Sequence, residues 1–262
     1  MTSAPSRAHS FNAAAARYAA YRPSYPPDLF DAVEHLAGRP LAGARVVDVG
    51  AGTGIASALL AGRGARVLAV EPGDGMAAQF RRTLPHVPLV RGDGNALPVA
   101  DGAADLITYA QAWHWTDQRR SVPEALRVLR PGGALALWWN IQDHDASWFE
   151  DQTVRVARFL GRQDETRSAA ARTDDLTTAL AFRHDRVRWS RRVPLDTHLA
   201  NLGTHSAFLV LGEERVGAFL AEERAELLKV FPDEVVEESY FVDLSVAIRP
   251  ADGSGTGPAG GA

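Results

Sequence analysis

Arg45-Val46-Val47-Asp48-Val49 is an apolar run holding one acid, and Gly50-Ala51-Gly52-Thr53-Gly54 follows it directly. Ile55 to Leu60 then reads as the start of a helix. A buried strand that stops in glycines and re-emerges as a helix constrains the fold more than any other feature of the chain. Glycine tolerates positive φ and lets another backbone or a ligand approach closely. The helix beyond the turn offers unpaired N–H groups and a partial positive charge. Such a turn suits a nucleotide-like ligand or its carboxylate.

Around this turn the apolar segments alternate with helical ones. Strands are predicted at Arg66–Val70, Val87–Arg91, Ala104–Tyr109 and Ala134–Trp139, with helices at Leu29–Ala37, Met76–Leu84 and Val122–Leu129. Strands spaced in this way, with helices between them, argue for βαβ units and a parallel sheet. Right-handed crossovers place the C-terminal ends of these strands on one edge, where ligands bind in open α/β sheets. The glycine turn, Glu71, Asp93 and Gln111–Trp115 all fall there. In the second half, helices are expected at Trp148–Leu160, Thr197–Leu211 and Glu213–Val230, and strands at Val187–Val193 and Ser239–Ile248. His184-Asp185 reads as a surface turn. Met1–Phe11 is expected to be mobile, Asn12–Tyr21 to form a short helix, and the Gly-, Ser- and Ala-rich tail 251–262 to be disordered.

Composition narrows the classes of function. The 262 residues, 46% of them hydrophobic, are enough for a sizeable core. The absence of cysteine excludes disulfides, thiolate nucleophiles and zinc–cysteine sites. No signal-peptide core is visible, since Ala13–Ala16 is short and followed by Arg17, and no apolar run spans a membrane. A cytoplasmic location is expected. The net charge of -4 and the scattered arginines argue against a nucleic-acid partner.

Glu71 sharpens the reading of the glycines. It ends the second strand, where an acid accepts hydrogen bonds from both hydroxyls of a ribose. These two positions indicate an adenosine-containing ligand and leave NAD and S-adenosylmethionine both open. Three further features bear on the choice: Asp48 two residues before the first glycine, Gly92-Asp93-Gly94-Asn95-Ala96-Leu97-Pro98 after the third strand, and Leu129-Arg130-Pro131-Gly132-Gly133 before the fifth.

With these motifs in place, the chain resembles the class I S-adenosylmethionine-dependent methyltransferases, in their small-molecule, type 11 branch. Asp48–Gly54 resembles the family's glycine-rich first motif, Glu71 its acidic second motif, Gly92–Pro98 the motif after the third strand, and Leu129–Gly133 the turn before the fifth. Tyr18-x-x-Tyr21-Arg22-Pro23-x-Tyr25-Pro26 resembles an N-terminal signature of the same branch. The resemblance covers residues from ~10 to ~140. It implies a Rossmann-like, doubly wound seven-stranded α/β sheet of order 3-2-1-4-5-7-6 with the last strand antiparallel. Residues 1–250 then form a single domain, with 1–28 as an N-terminal lid and 195–230 as a helical insertion over the site.

The resemblance also implies roles. Gly50 and Gly52 approach the methionine portion of the cofactor, Asp48 orients the turn or receives the cofactor ammonium, and Met76 and Gln111 flank it. Glu71 takes the ribose, Asp93 the adenine amino group, and Gly94 and Asn95 line the adenine face. Tyr18 and Arg22 close over the cofactor, with Arg22 meeting its carboxylate. His114, between Trp113 and Trp115 after the fourth strand, is the candidate general base, or else a structural or substrate contact. Trp113, Trp115 and His205 are candidate substrate contacts, and Asn201, His205 and Phe208 would share a helix face. Asp143, His144 and Asp145 sit on the ligand edge, but no metal site is expected. The expected activity is in-line transfer of a methyl group from S-adenosylmethionine to a small molecule, by a monomer or homodimer. A non-methylating protein on the same fold is the alternative, and an NAD-dependent oxidoreductase is disfavoured by Asp93 and the glycine spacing.

Overall fold

The computed structural model describes residues 15–143, 146–161, 180–209 and 211–251. The expectations for Met1–Phe11, for the tail from 252 onward and for His144 and Asp145 lie outside these residues.

The first half is a run of βαβ units. A helical segment α1 (residues 15–21) and α2 (Pro27–Ala37) precede β1 (Arg45–Val49), α3 (Ile55–Gly62), β2 (Arg66–Glu71), α4 (Asp74–Thr83) and β3 (Leu89–Arg91). β4 (Ala104–Ala110), a 3₁₀ turn at Trp113–Trp115, α5 (Gln118–Val128) and β5 (Leu129–Gln142) follow. The seven strands lie in the order β3-β2-β1-β4-β5-β7-β6. β1 to β5 run parallel, and β7 (Val235–Ile248) is inserted antiparallel between β5 and β6 (Phe182–Pro194). This is the order the resemblance implies.

Period-2 alternation splits the central strands between two apolar layers. Ala134, Ala136 and Trp138 of β5 face the layer formed with Leu29, Phe30 and Val33 of α2 and Leu60 of α3. Leu135, Leu137 and Trp139 face the layer of Val122, Ala125 and Val128 on α5. Covered on both sides, these strands are near-continuous apolar runs, as buried parallel strands require.

Several boundaries differ from the sequence reading. β5 is far longer than Ala134–Trp139: β7 pairs with it from Ala134↔Ile248 to Gln142↔Tyr240 and so extends it to Gln142, while Leu129 pairs with Ala104 of β4 and Gly132 and Gly133 bond to Arg249 just past β7. β6 also extends beyond Val187–Val193. It includes His184, whose Nδ1 lies 2.9 Å from Ser245 Oγ, so His184-Asp185 is strand and not a surface turn. The single helix expected at Thr197–Leu211 is two: α7 (Leu195–Leu202) stops at Gly203, and a short α8 (Ser206–Leu209) follows. Asn201, His205 and Phe208 therefore do not share one helix face.

The helical layer near β6 and β7 has its own small cores. Leu195, Leu199 and Leu227 pack with Val236, where α7 and α9 (Glu213–Leu228) meet β7. Phe159 of α6 (Ser147–Leu160) stacks on Phe219 at 4.2 Å between ring centroids. A buried polar network crosses this layer. His198 Nδ1 lies 2.7 Å from Glu238 Oε1, and the Tyr240 hydroxyl donates to Glu238 Oε2 at 2.7 Å. Gln152 joins His198 to Glu223, which also accepts from both Arg155 guanidinium nitrogens that face it. Burial alone would raise the Glu238 carboxyl, but His198 and Arg191 hold it below its usual range. Every carboxylate in the network is partnered, as buried charge demands.

Candidate active site

The ends of β1, β2, β3 and β4 enclose a cleft of about 910 Å³, measured with its open mouth. At its floor the first glycines turn back on the sheet. Gly50 N and Ala51 N both donate to Val70 O, at 2.8 and 3.2 Å. Gly50, Gly52 and Gly54 all have positive φ, the region where a side chain is strained. At Gly50 space forbids one as well, because an added Cβ would lie 2.5 Å from Ala112 Cβ.

Glu71 is the anchor of the cleft. Its two carboxylate oxygens accept from Gly52 N at 2.8 Å and from Gly73 N at 2.7 Å. One carboxylate thus fixes the glycine turn to the loop entering α4. Burial raises its pKa, against the pull of these two N–H groups and of Arg91. Each oxygen keeps a lone pair that no hydrogen-bond donor takes up among the described residues, and the residue lines the cleft. That is the donor-seeking surface a pair of vicinal hydroxyls requires.

On the other wall, Asp93 Oδ1 accepts from Asn95 N at 2.7 Å, and Asn95 Oδ1 accepts from Asp117 N at 2.7 Å. Asn95 thereby ties the loop after β3 to the start of α5, and Asp93 and Gly94 form the lining. Gln111 stands opposite with φ of 59°, a strained conformation held by its N–H donating to Trp138 O at 2.9 Å. Tyr18, Met76 and the half-exposed Trp115 complete this wall.

The remaining candidates lie elsewhere. Asp48 is fully buried and does not line the cleft; it accepts from Ser57 Oγ at 2.6 Å and from Thr108 Oγ1 at 2.8 Å. Of the two expected roles, this geometry suits orienting the turn, since it joins β1, α3 and β4 beneath the glycines. Trp113, expected to meet substrate, is fully buried, with its ring edge-to-face with Tyr109 at 4.6 Å. His114 is exposed beside the cleft, and its Nδ1 accepts from Trp139 Nε1 at 3.3 Å. Arg22 lies over the Tyr18 ring at 4.9 Å and donates to Thr204 O at 3.3 Å, while its buried Nε has no partner. No carboxylate pairs with Arg22 among the described residues. His205 follows Thr204; burial first, then Arg22 and His198, lower its pKa to about 3, so its ring is neutral.

Sequence reasoning missed Tyr109, Thr116 and the Pro72–Gly73 step, which also line the cleft. Thr108 and Ser57 carried a usable signal: each is a small polar residue at a position otherwise apolar, where a buried acid finds a donor.

Asp48 gives a pH prediction. Burial, with a smaller push from Glu71, lifts it to about 6 despite the bonds from Ser57 and Thr108. A carboxyl raised on folding binds its proton more tightly in the native state, so its contribution falls as pH rises from about 4 to about 6 and is flat above. At about 1.4 kcal/mol per pH unit, the loss is about 3 kcal/mol. Denaturant stability of the wild type minus that of Asp48→Asn should fall by this amount over that window. A difference that is constant with pH would show that Asp48 is not destabilised by ionisation.

Comparison with known proteins places this geometry. Residues 47–137 match the type 11 methyltransferase-domain family. An uncharacterized methyltransferase of Mycobacterium tuberculosis is 38% identical over 182 residues, covering 69% of this chain and 70% of its own. The chain belongs to the class I S-adenosylmethionine-dependent methyltransferases. This methyltransferase is also 40% identical to the malonyl-[acyl-carrier protein] O-methyltransferase of Methylococcus capsulatus over 136 residues, 48% of each chain. A solved structure from Anaeromyxobacter dehalogenans, described as a candidate type II methyltransferase, is 26% identical and has a TM-score of 0.65. It covers 87% of this chain and 97% of its own.

Proposed function

We propose that this methyltransferase takes S-adenosylmethionine in the glycine-floored cleft and methylates an oxygen, nitrogen or carbon nucleophile of a small molecule. The observation that carries this reading is Glu71, clamped between the N–H groups of Gly52 and Gly73 with lone pairs left over at the cleft wall. The cleft fits the cofactor on its own terms. Gly50 and Gly52 keep the floor free of side chains, Glu71 offers acceptors for two hydroxyls, and Asp93 at the far wall offers an acceptor for an amino group. Arg22, which lies above Tyr18 and has no carboxylate partner among the described residues, meets the cofactor carboxylate in this reading.

When bound, S-adenosylmethionine supplies a methyl group activated by a sulfonium. The chain's own residues then serve alignment, the main requirement of an in-line displacement. Asp48 and Glu71 fix the turn, Gln111 and Met76 border the reactive end, and Trp115, His114 and His205 stand toward the acceptor. Among the described residues, 15–28 act as a lid, and 195–209 with 211–230 as the roof of a single domain. The bond from Arg22 to Thr204 O supports this, because it joins the two covers. The O-methyltransferase name of the Methylococcus relative favours oxygen among the three nucleophiles.

Calorimetric titration tests the reading. S-adenosylhomocysteine is expected to bind with a 1:1 stoichiometry and NAD to give no heat. Binding of NAD alone would overturn it. Tight binding of S-adenosylhomocysteine with no transfer of labelled methyl to any metabolite pool would favour a non-methylating role.

A further inference from the structure

We propose that Arg191 of β6 and Asn140 of β5 are positioning residues for the carboxylate end of the cofactor, acting through Arg22. This rests on the methyl-donor reading above.

The stretch that carries Arg22 has few backbone bonds of its own. α1 ends at Tyr21, Arg22 N donates to Tyr18 O at 3.1 Å, and residues 22–26 lie in neither helix nor strand. The last carbonyls of a helix have no partner within it. Pro23, Pro26 and Pro27 have no N–H to offer. The carbonyls that flank Arg22-Pro23 are those of Tyr21 and Ser24, and side chains of the sheet take up both. Arg191 Nη2 donates to Tyr21 O at 3.3 Å, and Asn140 Nδ2 donates to Ser24 O at 3.1 Å.

Each of these donors is itself aimed. Arg191 pairs with Glu238 and Trp189 with Tyr240 across β6 and β7, two positions apart and so on one face. Glu238 is fully buried. Its Oε2 accepts from Arg191 Nε at 2.5 Å and from the Tyr240 hydroxyl, while its Oε1 meets His198 of α7. A guanidinium is planar, so the bond from Nε to Glu238 fixes the direction in which Nη2 donates. The Trp189 ring stacks on Tyr240 with centroids 5.1 Å apart, and its Nε1 donates to Asn140 Oδ1 at 3.0 Å. An indole N–H only donates, so the Asn140 oxygen must face it and the amide N–H₂ is left for Ser24 O.

This bracket holds the Arg22 guanidinium at the mouth of the cleft. The guanidinium lies 4.9 Å over the ring of Tyr18, a residue of the cleft lining. Its Nη2 donates to Thr204 O, and its buried Nε has no partner. A buried N–H of a cation is costly until an acceptor reaches it. A carboxylate is such an acceptor, and a donor already in place binds it without the cost of ordering a loop. Neither Arg191 nor Asn140 lines the cleft, so each reaches the ligand only through Arg22.

Calorimetry with two ligands tests this. S-adenosylhomocysteine carries the carboxylate; methylthioadenosine shares its adenosine and thioether but lacks the carboxylate. Arg191→Lys keeps a cation for Glu238 without the planar group that also reaches Tyr21 O, and Asn140→Ala removes the donor to Ser24 O. Each should weaken S-adenosylhomocysteine about fivefold, as the loss of one ordinary hydrogen bond does, and leave methylthioadenosine within about twofold of wild type. In an Arg22→Ala background neither should weaken S-adenosylhomocysteine further. Equal loss for the two ligands would mark a merely structural role and overturn the proposal. Unchanged affinity for S-adenosylhomocysteine, or a loss that persists in full without Arg22, would overturn it too. Should Arg191→Lys not melt cooperatively, Asn140→Ala at the other end of the bracket decides. Wild type that does not bind S-adenosylhomocysteine, or Arg22→Ala that binds it as wild type does, counts against the methyl-donor reading or the place of Arg22 in it, and this inference falls with it.

Discussion

Glu71→Ala is expected to weaken S-adenosylhomocysteine binding by on the order of 100-fold or more, with only a modest change in thermal stability. The Glu71 carboxylate accepts from Gly52 N and Gly73 N within the protein, and in the proposed complex from two ribose hydroxyls as well. Hydrogen bonds to an ionised group contribute about 1.5–3 kcal/mol each. Losing the two to the ligand thus accounts for a factor of at least about 100, before the loosened glycine turn is counted. Stability changes less because removing a carboxylate whose burial raises its pKa also removes a desolvation cost. Glu71→Gln separates the parts. Its carbonyl can replace one acceptor, but its amide cannot accept from the second hydroxyl, so its affinity should fall between wild type and Glu71→Ala. Calorimetry reads both numbers. Equal affinity in wild type and Glu71→Ala would mean that the ligand does not reach the end of β2, and the assignment of the cleft would fail with it.

What the sequence made legible follows from the distance between interacting residues. The glycine turn, the acid at Glu71 and the loop at Asp93 are short signals, each read within ten residues, and the alternation of strand and helix places them on one edge. The role of Asp48 is different. An acid in an apolar strand is visible, but Thr108 lies sixty positions away in β4 and reaches it only through the register Asp48↔Thr108. Trp139 and His114 pose the same difficulty, since only β4 and β5 lying side by side bring the indole to the imidazole. The length of β6 was hidden for another reason. Its arginines sit at an exposed sheet edge, where charged side chains guard unpaired backbone, so the period-2 apolar pattern fades although the pairing with β7 runs from Phe182 to Pro194. The break at Gly203 was readable in principle, since glycine weakens a helix interior, but the apolar residues on either side concealed it.

Gly50→Ala is expected to disable the protein by a different route, and a second substitution tells which part of the loss is steric. At φ of 67° a side chain costs about 1–2 kcal/mol. The added Cβ would also meet Ala112 Cβ at 2.5 Å, and relieving such a contact by moving packed backbone costs about 1–3 kcal/mol more. The residue that must yield belongs to the segment from Gln111 to Trp115, which is pinned by Gln111 N to Trp138 O and Trp115 N to Ala112 O. Gly50→Ala should therefore lose about 2–5 kcal/mol in denaturant melts and lose S-adenosylhomocysteine binding as the opposite wall shifts. Ala112→Gly removes the obstructing methyl and leaves the φ cost in place. In the double variant the steric share should return, leaving a deficit of about 1–2 kcal/mol, and the cycle should show a coupling of about 1–3 kcal/mol. Simple additivity of the two substitutions would refute the contact. A stable Gly50→Ala that still binds would show that the floor of the cleft does not depend on this approach of β1 to the loop after β4.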